Sequence, residues 1–135
     1  MEYAKPLPIK TPDTAAFWDT CRQHELRFQK CRQCGFVRWP PSILCPRCYF
    51  RDAEWILSSG RGTVYSYVVY RETYHPSFFG DLPYVVALIE LEEGPRFLSN
   101  IVGVSPEEVR CDMPVVLTWD DVTGEVSLPK FRPAG

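Results

Sequence analysis

The stretch that decides the fold runs from Cys31 to Cys48 and reads CRQCGFVRWPPSILCPRC. Its cysteines follow the spacing C-x2-C-x10-C-x2-C. Each C-x-x-C makes a tight turn that points two sulfur atoms at one ion, and the intervening residues let the second pair lie opposite the first. Four thiolates suit a tetrahedral Zn2+ at about 2.3 Å. We therefore predict one structural Zn2+, closed to water and substrate, with the ligands Cys31, Cys34, Cys45 and Cys48.

Other interpretations of the cysteines are weaker. Iron in the same four-sulfur site is an alternative that the spacing leaves open. Disulfides need an oxidising compartment, and residues 1–5 carry no apolar signal run, so a cytoplasmic setting is expected. A redox C-x-x-C usually comes singly and near a βαβ pattern, which is not found here. Cys21 and Cys111 stand apart from the four ligands and are interpreted as buried packing thiols.

The composition is that of a globular chain. The 135 residues are 45% hydrophobic and 24% charged, enough for one medium domain or for a small module joined to a compact one. Nothing approaches the ~20 apolar residues that a membrane span requires, so no membrane partner is expected. The 13 prolines and 14% aromatic content favour short strands, turns and loops over a helical bundle.

Charge is divided unevenly along the chain. Residues 1–58 hold nine Lys/Arg against six Asp/Glu, and residues 59–135 hold six against eleven, giving +3 and −5. Basic residues surround the metal knuckles, where they could offset the net −2 of Zn2+ with four thiolates. The alternative is that they bind a phosphate-bearing ligand or an acidic partner. Arg38 and Arg47 are the candidate contacts.

The N-terminal half is predicted to contain an extended arm, a helix and the metal ribbon. Thr11 is expected to cap the helix, with Pro12 at its first position, and Phe17, Trp18 and Cys21 fall on one apolar side. The helix should end near His24-Glu25, and residues 26–30 alternate as a short strand leading to Cys31. We expect an arm and helix over 1–25, a zinc ribbon over 26–58 and a β domain over 59–135.

The second half is predicted to be all β. Strands are expected over residues 63–72, 83–91, 96–102, 114–119 and 126–131, with a short helix opened by a capping box of Ser105 and Glu108. Five strands with a helix between the third and fourth match an OB-fold barrel. A sandwich or a split barrel is the alternative. The fold class is therefore mainly β, a helix and rubredoxin-like zinc ribbon followed by a five-stranded OB barrel.

Two of the predicted strands are apolar on both faces. Residues 84–89 have no polar face, and residues 64–70 nearly none, whereas the outer face of a small barrel is normally polar. Some of the outer surface must therefore be covered. The N-terminal helix and ribbon, a partner protein, or both could cover it.

These motifs together resemble one family. They are Phe17-Trp18 in a helix, L-x-F-Q-x-C-x-x-C-G from Leu26, W-P-P from Trp39, C-P-x-C from Cys45, G-x-V-Y-S-Y from Gly62 and P-Y-V-V-A-L-I-x-L-x-E-G from Pro83. Over residues 12–132 the chain is similar to the thiolase-associated zinc-ribbon/OB-fold family, long filed as a domain of unknown function. The order and approximate spacing of the motifs match, and all four metal cysteines are present.

The resemblance implies a non-catalytic subunit. Such proteins dock on thiolase-fold enzymes or hydratases that act on acyl-CoA thioesters, including thiolases, steroid side-chain retro-aldolases and acyltransferases. The partner in this hetero-oligomer would supply the nucleophile and the acid/base groups. The small subunit would stabilise the complex and shape the acyl channel, and a CoA thioester could lie at the interface.

The remaining candidate residues fit that passive role. His75, Phe78 and Phe79 lie in the loop joining the first two barrel strands, where OB-folds carry binding surfaces. We expect them to contact a partner or an acyl chain, although the two Phe could instead cap the barrel end. No catalytic residue is expected, because no Ser-His-Asp or Cys-His arrangement can be assembled.

Two other functions remain open at this point. A single-stranded nucleic-acid module could use strand tyrosines for stacking, but the −5 charge of the barrel half argues against phosphate binding. A free-standing acyl-CoA-binding module fits the basic ribbon. It lacks a Gly-rich phosphate site.

Overall fold

The computed structural model describes residues 8, 11–12, 14–71, 83–124 and 126–134. These residues form one α-helix, α1 (Ala15–Arg22), and eight strands. The strands are β1 (Arg27–Cys31), β2 (Val37–Arg38), β3 (Ala53–Leu57), β4 (Arg61–Tyr70), β5 (Tyr84–Leu91), β6 (Arg96–Ile101), β7 (Pro114–Asp121) and β8 (Ser127–Pro133), with a 3-10 turn at Pro106–Glu108.

The helix begins three residues later than predicted. Its N-cap is Thr14, not Thr11. The reason is that Thr11 already holds the preceding turn, in which its carbonyl accepts hydrogen bonds from Thr14 N and Ala15 N at 3.1 and 2.8 Å. At the other end the helix stops at Arg22, and His24 adopts a left-handed φ of 61°. The predicted apolar side is confirmed for Phe17 and Cys21, which are fully buried.

The ribbon is a three-stranded antiparallel sheet in the order β2-β1-β3. β1 pairs with β3 from Arg27↔Leu57 to Cys31↔Ala53. Phe28 of β1 is fully buried and anchors the sheet. β3 and β2 were not predicted from the sequence.

The second half closes into a five-stranded barrel in the order β4-β5-β6-β8-β7. β4 runs antiparallel to β5 from Gly62↔Leu91 to Tyr70↔Tyr84, with a register shift between Val64 and Ser66. The only parallel contact among the described pairs joins β6 to β8 at Ile101↔Phe131. The predicted mainly β fold of helix, zinc ribbon and OB barrel is confirmed, and the sandwich and split-barrel alternatives are excluded.

The predicted capping box before the fourth barrel strand is wrong. Ser105 makes no side-chain cap hydrogen bond, and the segment is a three-residue 3-10 turn. Its hydroxyl donates to the Glu107 carboxylate instead. The hydroxyl is therefore bound to a side chain and not to the backbone N–H that a capping box requires.

An aromatic cluster joins the helix and ribbon to the barrel. The Phe97 ring of β6 lies at its centre, 4.8 Å from Trp39, 5.9 Å from Phe28 and 6.0 Å from Phe17 between ring centroids. On its other side it approaches Phe131 of β8 at 6.3 Å. The side chains of both modules therefore form one continuous core.

Among the described residues, no helix has the length and apolar character needed to cross a bilayer.

Candidate metal centre and exposed surfaces

The four ribbon cysteines converge on one point. Their sulfur atoms all lie within 4.8 Å of one another, with Cys31 Sγ 3.5 Å from Cys48 Sγ and Cys34 Sγ 3.6 Å from Cys45 Sγ. A tetrahedral ion bound at ~2.3 Å places its sulfur ligands about 3.8 Å apart. The donor set and its spacing therefore fit a single Zn2+, and four protein ligands leave no coordination position for substrate.

The two knuckles repeat the same backbone geometry. Gly35 N donates to Cys31 O at 3.0 Å in the first, and Tyr49 N donates to Cys45 O at 2.9 Å in the second. The residue after the second cysteine is left-handed in each, with φ of 78° at Gly35 and 63° at Tyr49. One knuckle therefore places glycine at this position, and the other places a tyrosine there.

Backbone N–H groups, burial and the neighbouring sulfur atoms shift the pKa values of the cluster thiols. The backbone N–H groups of Cys34 and Gln33 donate to Cys31 Sγ at 3.5 and 3.4 Å and lower the pKa of that thiol to about 6. At Cys48 the Phe50 N–H acts in the same direction, but burial and the neighbouring sulfurs raise the pKa to about 12. Four thiolates this close need a positive ion to remain ionised together.

The two isolated cysteines differ from each other. Cys21 is fully buried, and burial raises the pKa of its thiol to about 12, as expected for a packing residue. Cys111 is exposed, so its predicted burial is wrong. It lies beside Asp112, whose φ of 67° marks a tight turn on the surface.

The two candidate arginines occupy different environments. Arg38 is only 3% exposed; its Nε donates to Gln29 Oε1 at 3.0 Å and its Nη2 to Ser42 O at 2.9 Å, while Nη1 has no hydrogen-bond partner. Arg47 is exposed, and its guanidinium carbon lies 4.3 Å from the centroid of the Phe36 ring. Contact of either with a partner or acyl-CoA stays a prediction.

The loop candidates His75, Phe78 and Phe79 lie outside the described residues, and their contact role also stays a prediction. The other histidine, His24, stacks on Trp119 and places Nε2 2.6 Å from Asp121 Oδ1. The Ser127 hydroxyl donates to the same oxygen at 2.5 Å. Because the hydroxyl points at the carboxylate and not at the imidazole, this trio lacks the arrangement of a nucleophile and its base.

A large apolar surface on the barrel remains exposed. On β4 and β6, Tyr65 is 46%, Val68 53%, Tyr70 45% and Leu98 62% exposed. We call this surface the outer β4–β6 face. Val86 and Leu88 of β5 lie between these strands, because they pair with Val68 and Leu98. The helix and ribbon pack around Phe97 and leave this face uncovered.

Comparisons with known proteins cover nearly all of the chain. Residues 18–54 match the family model for the ChsH2 rubredoxin-like zinc ribbon domain, and residues 55–120 match the ChsH2 C-terminal OB-fold domain. The chain is similar to a chain of the solved structure titled "Ltp2-ChsH2(DUF35) aldolase", at 41% identity and TM-score 0.88, covering 96% of this chain and 100% of that one.

Two curated relatives are also subunits of enzymes. A probable enoyl-CoA hydratase alpha subunit of Thermomonospora curvata is 42% identical over 96% of this chain, which spans 40% of that relative's length. Subunit BbsA of the benzoylsuccinyl-CoA thiolase of Thauera aromatica is 30% identical over 82% of this chain and 79% of its own length.

Proposed function

The chain belongs to the ChsH2-type zinc-ribbon and OB-fold (DUF35) family, and from that membership we propose that it is a non-catalytic accessory subunit of a thiolase-fold enzyme complex. The complex would form or cleave carbon–carbon bonds in acyl-CoA thioesters, by thiolase, retro-aldolase or acyltransferase chemistry. This subunit would stabilise the assembly and shape the acyl and CoA channel.

The observation that carries the proposal is the outer β4–β6 face. Its exposed members, Tyr65, Val68, Tyr70 and Leu98, lie on strands joined through β5 and so form one surface. Contiguous apolar patches of this kind on a soluble protein mark sites of interaction. The guanidinium carbon of Arg96 lies 3.8 Å from the centroid of the Tyr65 ring and places a cation on this face. A partner subunit that covers this surface would remove it from water.

Among the described residues we find no arrangement that suits catalysis by this chain. The metal site fits four protein ligands and has a structural role, and His24 and Ser127 both bind Asp121. The partner would therefore supply the reactive groups. Zn2+, where bound, fixes the ribbon so that its surface is presented in one geometry.

Contact with the substrate is the finer part of the proposal. Arg47, whose guanidinium carbon lies over the Phe36 ring, is exposed and could pair with a phosphate or carboxylate. His75, Phe78 and Phe79, in the sequence between β4 and β5, would contact the acyl chain or the partner. Arg38 would act through the loop it holds by donating to Ser42 O.

The test is co-expression with a thiolase-like protein from the same genome. Co-purification and acyl-CoA turnover are measured for the pair, for each protein alone, and for Leu98→Asp. A complex active only when both proteins are present supports the proposal, and Leu98→Asp should weaken it by leaving a charge buried against the partner. Leu57→Asp is the matched control, because Leu57 is 56% exposed on β3, outside this face.

Two outcomes would contradict the proposal. Binding of acyl-CoA by the isolated chain, with no complex, would favour the free-standing acyl-CoA module. Binding of a single-stranded oligonucleotide instead would favour the nucleic-acid module, for which Tyr65 and Tyr70 offer exposed stacking surfaces.

A further inference from the structure

The second zinc knuckle carries a cluster of exposed apolar side chains apart from the outer β4–β6 face. Within the eight residues 43–50, Tyr49 is 73%, Ile43 66%, Leu44 40% and Phe50 39% exposed. The hydrogen bond from Cys45 N to Phe50 O at 3.0 Å draws the two ends of the knuckle together. We call these four residues and Arg47 the knuckle tip.

Tyr49 occupies a backbone conformation that glycine adopts more easily. Its φ is 63°, in the left-handed region that side chains with a Cβ rarely enter. The equivalent position of the first knuckle is Gly35, with φ 78°. The ring of Tyr49 is mostly in water, so burial within the chain does not offset the cost of this conformation. A strained residue that projects an exposed aromatic ring is a sign of function outside the fold.

The ribbon that carries the knuckle tip is basic in composition. Residues 26–51 contain six Lys/Arg and no Asp/Glu, but Arg27 pairs with Glu25 at 2.8 Å and Arg38 is buried, so Arg47 and Arg51 carry exposed positive charge beside the tip. Arg47 lies over the Phe36 ring, and Arg32 lies 3.3 Å from the exposed Asp52. The knuckle tip therefore combines four exposed apolar side chains with the exposed cation of Arg47.

We propose that the knuckle tip is a second docking surface, with Tyr49 inserted into an apolar pocket of the catalytic subunit that is rimmed by carboxylates. Tyrosine and arginine are the residue types enriched among binding hot spots, where a central anchor is desolvated by its neighbours. The exposed Arg47 and Arg51 favour an acidic partner surface by charge complementarity. This inference rests on the proposed function and adds a named contact to it.

The decisive variant is Tyr49→Gly, because it separates binding from stability. Glycine relieves the left-handed strain, so the metal-loaded chain should melt at the same or a higher temperature. It also removes the anchor, so the Kd for the thiolase-like subunit should rise about tenfold or more. If Tyr49 had only a structural role, Kd would change only in variants whose melting temperature also falls.

Three further variants complete the experiment. Tyr49→Phe keeps the ring and should bind nearly as the wild type does, and Leu57→Ala, an exposed apolar residue on β3, should leave Kd unchanged. Arg47→Ala should weaken binding and reduce its dependence on salt, since exposed charge pairs are screened. Metal content is measured for every variant.

The outcomes separate this inference from the function on which it rests. No complex with the wild-type chain would sink the proposed function. A wild-type complex whose Kd is unchanged in Tyr49→Gly would overturn the knuckle proposal alone. A second outcome would also overturn it: the wild-type chain forms a concentration-dependent homodimer that Tyr49→Gly loses, while Kd for the thiolase-like subunit is unchanged. The tip would then bind a second copy of this chain.

Discussion

Gly62 shows how tightly single positions of the barrel are determined. A Cβ built on Gly62 would lie 2.5 Å from Glu90 O and 3.0 Å from Ile89 Cγ2. The first of these atoms belongs to the backbone of the neighbouring strand and cannot rotate away. β4 and β5 can therefore approach this closely only where the side chain is absent.

We expect Gly62→Ala to destabilise the protein by about 1–3 kcal/mol, because the extra methyl group must displace β5 or bend β4. Urea or thermal unfolding measures the loss. Gly124→Ala is the matched control, since a Cβ at Gly124 would meet nothing within 4 Å. Equal melting temperatures for the two variants would contradict the packing argument.

At the scale of elements, the end of α1 is attached to the hairpin of β7 and β8. Ser127 Oγ and His24 Nε2 both contact Asp121 Oδ1, and the His24 ring stacks on Trp119 at a centroid distance of 5.2 Å. The Ser127 hydroxyl and then His24 lower the pKa of Asp121 below its ordinary value of 3.8. The carboxylate form is therefore the one that the folded chain stabilises.

This attachment predicts a dependence of stability on pH. Folding lowers the pKa of Asp121, so its carboxylate stabilises the folded chain at a pH above its ordinary pKa. This stabilisation is lost as the pH falls through the pKa of Asp121 in the folded chain. In Asp121→Asn we expect the melting temperature to fall less steeply in acid than in the wild type. Asp112→Asn, a change at an exposed position whose left-handed φ asparagine tolerates, should leave the acid limb as it is.

The ribbon should depend on its metal more than the barrel does. Its three strands are short, and apart from Phe28 and the cysteines it offers few fully buried side chains of its own. A small module of this kind draws its folding energy from metal binding.

Chelation, or the double change Cys31→Ser and Cys45→Ser, should therefore unfold the ribbon and abolish binding to the partner. Hydrogen exchange should then show loss of protection in β1–β3, with protection retained in β4 and β5. Cys111→Ser is the control, because Cys111 is exposed and lies outside the sulfur cluster. Undiminished partner binding after metal removal would refute the structural role.

At the scale of the whole molecule, Phe97 connects the two modules. Its ring contacts residues of the helix, the ribbon and β8, and it is 4% exposed. We expect Phe97→Ala to cost about 3–5 kcal/mol and to loosen the ribbon from the barrel. Leu98→Ala, at the next position and 62% exposed on the opposite face, should change stability little. Denaturant unfolding of both variants tests this, and a similar loss in both would show that Phe97 does not join the modules.

The sequence was most informative where the signal is local. The convergence of the four cysteines follows from C-x-x-C spacing, and the barrel strands follow from apolar runs bounded by turn residues, each within a few positions of the observed bounds. β3 was missed because Ala53–Leu57 is five residues long and its sequence, AEWIL, does not alternate polar and apolar residues. The burial of Arg38 could not be predicted from the sequence either. Its hydrogen-bond partners Gln29 and Ser42 are brought to it by sheet pairing and by the chain between the knuckles.

The exposed surfaces could be predicted only in part from the sequence. Apolar residues on both sides of β4 and β5 indicated that something must cover the barrel, but the pattern could not distinguish the helix and ribbon from a partner. Packing around Phe97 settles where the ribbon lies. The left-handed φ of Tyr49 carries no sequence signal, because tyrosine is not a residue type that predicts it.

The parallel contact of β6 with β8 has a consequence for synthesis. β8 is the last of the barrel strands in chain order, and it lies between β6 and β7. On the ribosome the ribbon cysteines and β4–β6 emerge first, so the metal can be captured while the barrel is still open. Closure waits until β8 has left the exit tunnel, and during that interval the edge of β6 is unpaired and exposed to neighbouring nascent chains.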